Sequence, residues 1–184
     1  MSASVHLAAP TQIWTIGHST RSIEEFLSLL GGSRIEMVAD VRSFPGSRKY
    51  PQYGREALTA TLSAHAIDYR WLPALGGRRK ASPDSPNTAW RNASFRGYAD
   101  YMSTTEFAQG LSELLKVSDK ARTALMCSEG VWWRCHRSMI ADALCVRGIQ
   151  VMHILDAKRN ALHPMTSAAR IVDGVLSYAG LEPE

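Results

Sequence analysis

The chemistry of this chain gathers in eleven residues, Cys127-Ser128-Glu129-Gly130-Val131-Trp132-Trp133-Arg134-Cys135-His136-Arg137. Arg134 and Arg137 offer planar, forked donors suited to phosphate or carboxylate. Backbone amides at the start of a following helix would favour the same bound anion. A positive field of this kind also raises the thiolate fraction of Cys127 or Cys135. Glu129 is either a general base or half of a structural ion pair. His136 can donate to a substrate, hold Glu129 in place, or serve as a helix-start residue hydrogen-bonded to backbone. For Cys127, a place as a small, buried end-of-strand residue competes with a chemical role.

Counting narrows the options. A Cys-x5-Arg loop wraps an oxyanion in phosphatases and rhodaneses, but six residues separate Cys127 from Arg134. A metal is not assigned, although Cys127, Glu129, Cys135 and His136 carry ligand atoms. Adjacent Cys135 and His136 do not easily turn onto one ion, and there is no Cys-x2-Cys pair. No cofactor is assigned either, because the chain has neither a Gly-x-Gly-x-x-Gly turn nor a Walker-type phosphate loop. Cys145 falls on the apolar face of a helix and reads as core, and His153, inside a strand, reads as a satisfied core histidine.

These groups need a scaffold, and the apolar pattern supplies one. Residues 12–16 (QIWTI) read as a buried strand. Ser22-Ile23-Glu24-Glu25 has the form of a capping box, and Gly31-Gly32 ends the helix that follows. Residues 35–41 (IEMVADV) form a second strand, 55–64 a helix and 67–72 a third strand. A long irregular stretch, 73–92, is of the kind that is usually functional or mobile. Helices follow over 95–102 and 105–115, then a fourth strand over 123–127, a helix over 137–146, a fifth strand over 149–155 and a last helix over 166–178. Alternating strands and helices predict one α/β domain over residues 12–180. Its central sheet of about five mainly parallel strands carries helices on both faces in a Rossmann-like, three-layer arrangement. Residues 1–11 and 181–184 are expected to be flexible ends.

In such folds ligands bind beyond the carboxyl ends of the strands. That rule adds His18 and Ser19, after the first strand, to the candidate residues. It also adds Arg42 and Arg48, after the second. Asp40 and Arg42 alternate along a strand and share a face, so Arg42 either pairs with Asp40 or reaches the ligand. Tyr50, Tyr53, Tyr98 and Tyr101 line the cavity or serve packing. Trp132 and Trp133 either stack on a base, as aromatic platforms do, or fill space beneath the turn.

Five segments in order carry a family resemblance: Thr15 to Thr20 (TIGHST), Asp40 to Arg48 (DVRSFPGSR), Leu75 to Gly77 (LGG), Phe95 to Met102 (FRGYADYM), and MCSE at 126–129 followed by RCHRS at 134–138. Together they resemble the domain of unknown function family numbered 488, across about residues 14–154. The Trp132-Trp133 insert resembles one branch of that family. The resemblance implies the α/β fold and these motif residues, and it leaves the reaction open.

Composition bounds the rest. At 184 residues, 45% hydrophobic and 21% charged, the chain can bury a core without disulfides. Three cysteines, an odd number, favour free thiols and a cytoplasmic location. No apolar run approaches a membrane span, and residues 1–10 do not read as a secretion signal. The net charge of +4 is compatible with an anionic partner. The leading expectation is an enzyme acting on a phosphate-bearing substrate, a nucleotide or a nucleic acid. Arg42, Arg48, Arg134 and Arg137, with Ser19, Trp133 and Tyr98, would hold it; Glu129, Cys135, His136, Cys127 and His18 would do the chemistry. A non-catalytic nucleic-acid-binding or repair-associated module is the second expectation, and a thiol enzyme for sulfur transfer or redox is the third.

Overall fold

The computed structural model describes residues 12–180, so the expected flexible ends lie outside the described residues. Five parallel strands and one antiparallel strand form the central sheet, in the order β3-β2-β4-β1-β5-β6. They are β1 (Gln12–Gly17), β2 (Met37–Asp40), β3 (Asp68–Trp71), β4 (Thr123–Cys127), β5 (Gln150–Asp156) and β6 (Arg159–Leu162). The interior strands β1 and β4 are buried almost throughout, the continuous apolar pattern that a sheet covered on both faces requires.

Alternate side chains along those strands feed two cores. One face carries Trp14, Ile16, Val38 and Met126, which meet Phe26 and Leu30 of α1 (Ile23–Gly32) and Leu58 and Leu62 of α2 (Arg55–Ala64). The other carries Ile13, Ala39, Leu125 and Val151. Those pack on α3 (Ala93–Tyr101), α4 (Thr105–Ser118) and α5 (Arg137–Cys145) through Tyr98, Leu111 and Ile140. Ser22 accepts from the Glu25 amide at 3.1 Å and starts α1 as its sequence predicts.

The sheet is as expected with one antiparallel strand added, and one expectation, the last helix, is corrected. The sheet has six strands, because β5 turns back through an Asx-type turn in which the Asp156 carboxylate accepts from the Lys158 amide at 2.9 Å. The last helix is replaced by a hairpin of β7 (Arg170–Val172) and β8 (Val175–Ser177). Asp173 and Gly174 both take positive φ, 50° and 77°, as a two-residue type I′ turn demands.

The irregular stretch 73–92 is tied down. The Asp100 carboxylate takes the Ser82 amide at 2.8 Å and the Asn87 side chain at 2.8 Å, and also bonds the Ser85 hydroxyl. Arg79 lies 3.6 Å over the Tyr101 ring. Among the described residues no helix is long and apolar enough to cross a membrane.

Candidate functional site

The chain leaves β1 toward α1 on one face and leaves β4 toward α5 on the other, so a crevice opens where the two strands end side by side. Their pairing runs on past the sheet: the His18 amide donates to Cys127 O at 3.0 Å and the Ser19 amide to Ser128 O at 2.9 Å. The resulting cleft has a volume of about 440 Å³. His18, Ser19, Arg42, Cys127, Glu129 and His136 line it as the strand-end rule requires. Phe44, Ser43, Ser47, Tyr50, Ser128 and Arg78 complete the walls. Of these, Ser43, Phe44 and Ser47 lie in the Asp40 to Arg48 motif and Ser128 in the turn after β4. Arg78 directly follows the Leu75-Gly76-Gly77 segment.

One wall is a braced ion pair. Asp40 is fully buried and takes Arg42 Nε at 2.9 Å, Arg42 Nη2 at 2.6 Å and the Tyr69 hydroxyl at 2.6 Å. Arg42 Nη1 donates to Tyr53 O at 3.0 Å and faces His18 Nε2 at 3.5 Å. Of the two roles open to Arg42, pairing with Asp40 takes most of its donors. His18 stacks on Tyr53, with ring centroids 4.1 Å apart. Burial, with the Arg42 charge beside it, brings its pKa down to about 4. His18 is therefore neutral near pH 7, with Nδ1–H donated to Ser19 O at 2.9 Å and Nε2 an acceptor. That makes it a brace for Arg42 and leaves it no proton to give.

The floor is a cluster of sulfur and imidazole. Cys135 is extended (φ −131°, ψ 145°) and His136 turns at once into helical backbone (φ −57°, ψ −15°). That switch brings neighbouring side chains to the same side, and Cys135 Sγ lies 3.7 Å from His136 Nδ1. The expectation that their adjacency keeps them apart is thus corrected. The ligand atoms of Cys127, Cys135 and His136 all lie within 4.8 Å of one another. His136 Nε2–H donates to Val41 O at 3.0 Å, so the Nδ1 lone pair faces the sulfurs.

Arg137 is 1% exposed and does not line the cleft. Its Nε donates to Cys135 Sγ at 3.3 Å and its Nη2 to Glu129 O at 2.5 Å, and no carboxylate pairs with it among the described residues. A buried cation needs a counter-charge, and Cys135 is the one within reach. Burial opposes ionisation of Cys135, but the Cys127 thiol and Arg137 outweigh it and bring its pKa down to about 6. Its hydrogen bond to Cys135, together with burial, pushes Cys127 up to about 12. Of the two roles open to the start of α5, anion binding and thiol activation, the Arg137–Cys135 contact is the one formed within the chain.

Other candidates fall elsewhere. Arg48, Arg134 and Trp133 are exposed and outside the cleft lining. Tyr98 is buried beneath His136, with centroids 5.1 Å apart, and donates to Leu75 O at 2.8 Å. Trp132 stacks on His153 at 4.3 Å and fills space under the turn. His153 is a core histidine within a directed chain: Thr15 Oγ1 bonds its Nδ1 at 2.6 Å, its Nε2 bonds His163 Nδ1 at 2.9 Å, and His163 Nε2 bonds Asp142 Oδ1 at 2.9 Å.

A family model described as Domain of unknown function DUF488 matches residues 22–144, more than half of the chain. No curated protein and no solved structure matches it.

Proposed function

The chain belongs to the DUF488 family, and we propose that it is an enzyme acting on a small phosphate-bearing substrate held in the cleft at the ends of β1, β2 and β4. The observation that carries this reading is the composition of the cleft. Glu129 lines it as an exposed carboxylate with no ion-pair partner among the described residues. Around it stand the hydroxyls of Ser19, Ser47 and Ser128 and the guanidinium of Arg78, with buried Arg42 behind, while the Ser43 hydroxyl donates to Gly77 O at 2.7 Å. Hydroxyls and guanidinium groups are the donors a phosphate ester takes up. An unpaired carboxylate beside them suits a general base.

A small ligand fits better than a nucleic-acid strand. Arg79 is committed to the Tyr101 ring, Arg96 to Trp90 O at 3.0 Å, and Trp132 to His153, which removes three of the groups that would grip or stack on a strand. In a screen of phosphate monoesters, diesters and nucleotides, Glu129→Gln should lower kcat on the accepted substrate by about 10²- to 10⁴-fold with little change in KM. Turnover equal to wild type in Glu129→Gln would sink the assignment.

A further inference from the structure

We propose that Cys127, Cys135 and His136 form a binding site for one zinc-class transition-metal ion at the floor of the cleft, through both sulfurs and His136 Nδ1. Tetrahedral zinc with bonds of about 2.3 Å to sulfur and about 2.0 Å to nitrogen sets the two ligand atoms about 3.5 Å apart. Cys135 Sγ and His136 Nδ1 are 3.7 Å apart, and the whole trio lies within 4.8 Å. Two thiolates and an imidazole select borderline-to-soft ions of the zinc kind over magnesium or calcium.

The surroundings are those of a ligand set already oriented. A metal-bound histidine ordinarily donates its other ring N–H to a carbonyl or carboxylate, which fixes its tautomer. His136 Nε2–H does so to Val41 O at 3.0 Å. Arg137 Nε–H reaches Cys135 Sγ at 3.3 Å, a donor that stabilises a thiolate ligand. Three protein ligands leave one position of a tetrahedron free, the arrangement of catalytic zinc sites. Cys127 and His136 line the cleft while Cys135 lies beneath, so that free position faces the cleft.

Charge then decides what fills it. A dication with two thiolates is neutral, and buried Arg137 leaves a net +1, so an anionic fourth ligand is favoured. This step rests on the phosphate-substrate reading: the fourth ligand is a substrate oxygen or a hydroxide.

The test uses the full chain, reduced and freed of metal by chelation, titrated with Co²⁺ alone. One equivalent should bind with a thiolate-to-cobalt charge-transfer band, and Zn²⁺ should displace it. Cys127→Ser and His136→Ala, each checked for native far-UV circular dichroism, should weaken binding by more than the about 10- to 100-fold that losing an outer partner costs. Cys145→Ser should bind as wild type does. Absence of the band in wild type, its survival at wild-type affinity in Cys127→Ser, or a Cys127–Cys135 disulfide that forms in place of metal uptake overturns the site. Glu129→Gln should bind cobalt normally. Cobalt binding without turnover of any phosphate ester would retain the metal site and remove the substrate reading; turnover by metal-free enzyme that takes up no cobalt would do the reverse.

Discussion

Gly17→Ala is expected to cost about 4 kcal/mol or more, enough to unfold many domains of this size. Gly17 ends β1 where the chain passes under the turn after β4. A Cβ there would overlap the Glu129 carbonyl oxygen, lie 2.7 Å from its carbon and sit 3.0 Å from Arg137 Nη2. Two of those neighbours are backbone, so no change of rotamer relieves the overlap. The β1–β4 pairing would have to part, and with it the bond from Arg137 to Glu129 O and the cluster beneath. Gly31→Ala in α1 is the matched control. Nothing lies within 4 Å of its Cβ, and alanine in a helix gains up to about 1 kcal/mol. Urea unfolding of both variants measures the contrast, and a Gly17→Ala midpoint close to wild type would mean that β1 and the 128–130 turn are not in contact as described.

Acid should weaken the fold well before ordinary carboxylates titrate. Burial, with the Arg42 charge nearby, brings His18 to about 4, and burial, with His163 and Arg137 nearby, brings His153 to about 3. An unfolded histidine has a pKa near 6.5. Below that value the unfolded chain takes up protons that the folded one refuses. The histidine contribution is therefore full above about pH 6.5 and falls as pH drops toward 4 and 3. Linkage gives about 2 kcal/mol for each histidine at pH 5, or about 4 kcal/mol together. Urea midpoints at pH 7 and pH 5 report the loss together with that of the Cys135 thiolate, whose pKa is down to about 6, and His153→Gln should remove about 2 kcal/mol of the total. A flat profile between these pH values would show that the two rings are hydrated in the folded state.

The scaffold of the site was legible because buried parallel strands write themselves as continuous apolar runs. QIWTI and TALMC became β1 and β4, and the strand-end rule then put His18, Arg42, Cys127 and Glu129 at one cleft. The C-terminal segment misled for a definite reason. Ile171, Val172, Val175 and Leu176 fall at i, i+1, i+4 and i+5, which suits a helical face, yet Asp173-Gly174 between them is a strong hairpin signal, and turn chemistry prevailed. Side-chain direction at the start of α5 was beyond any spacing rule. Arg137 and Cys135 turn inward, toward each other, while Arg134 and Trp133 in the short turn before them point outward. The closeness of Cys135 to His136 came from a change of backbone conformation between adjacent residues, which residue types alone do not encode.

The cleft as an anion-binding site is tested most directly by amide NMR of the wild-type chain titrated with inorganic phosphate. The account predicts saturable shifts at Ser19, Ser43, Gly77, Arg78 and Ser128, which surround one volume, and unmoved amides in the β7–β8 hairpin. Saturable shifts that gather instead around Arg134 and Trp133, or no shifts at the cleft residues at all, would contradict it.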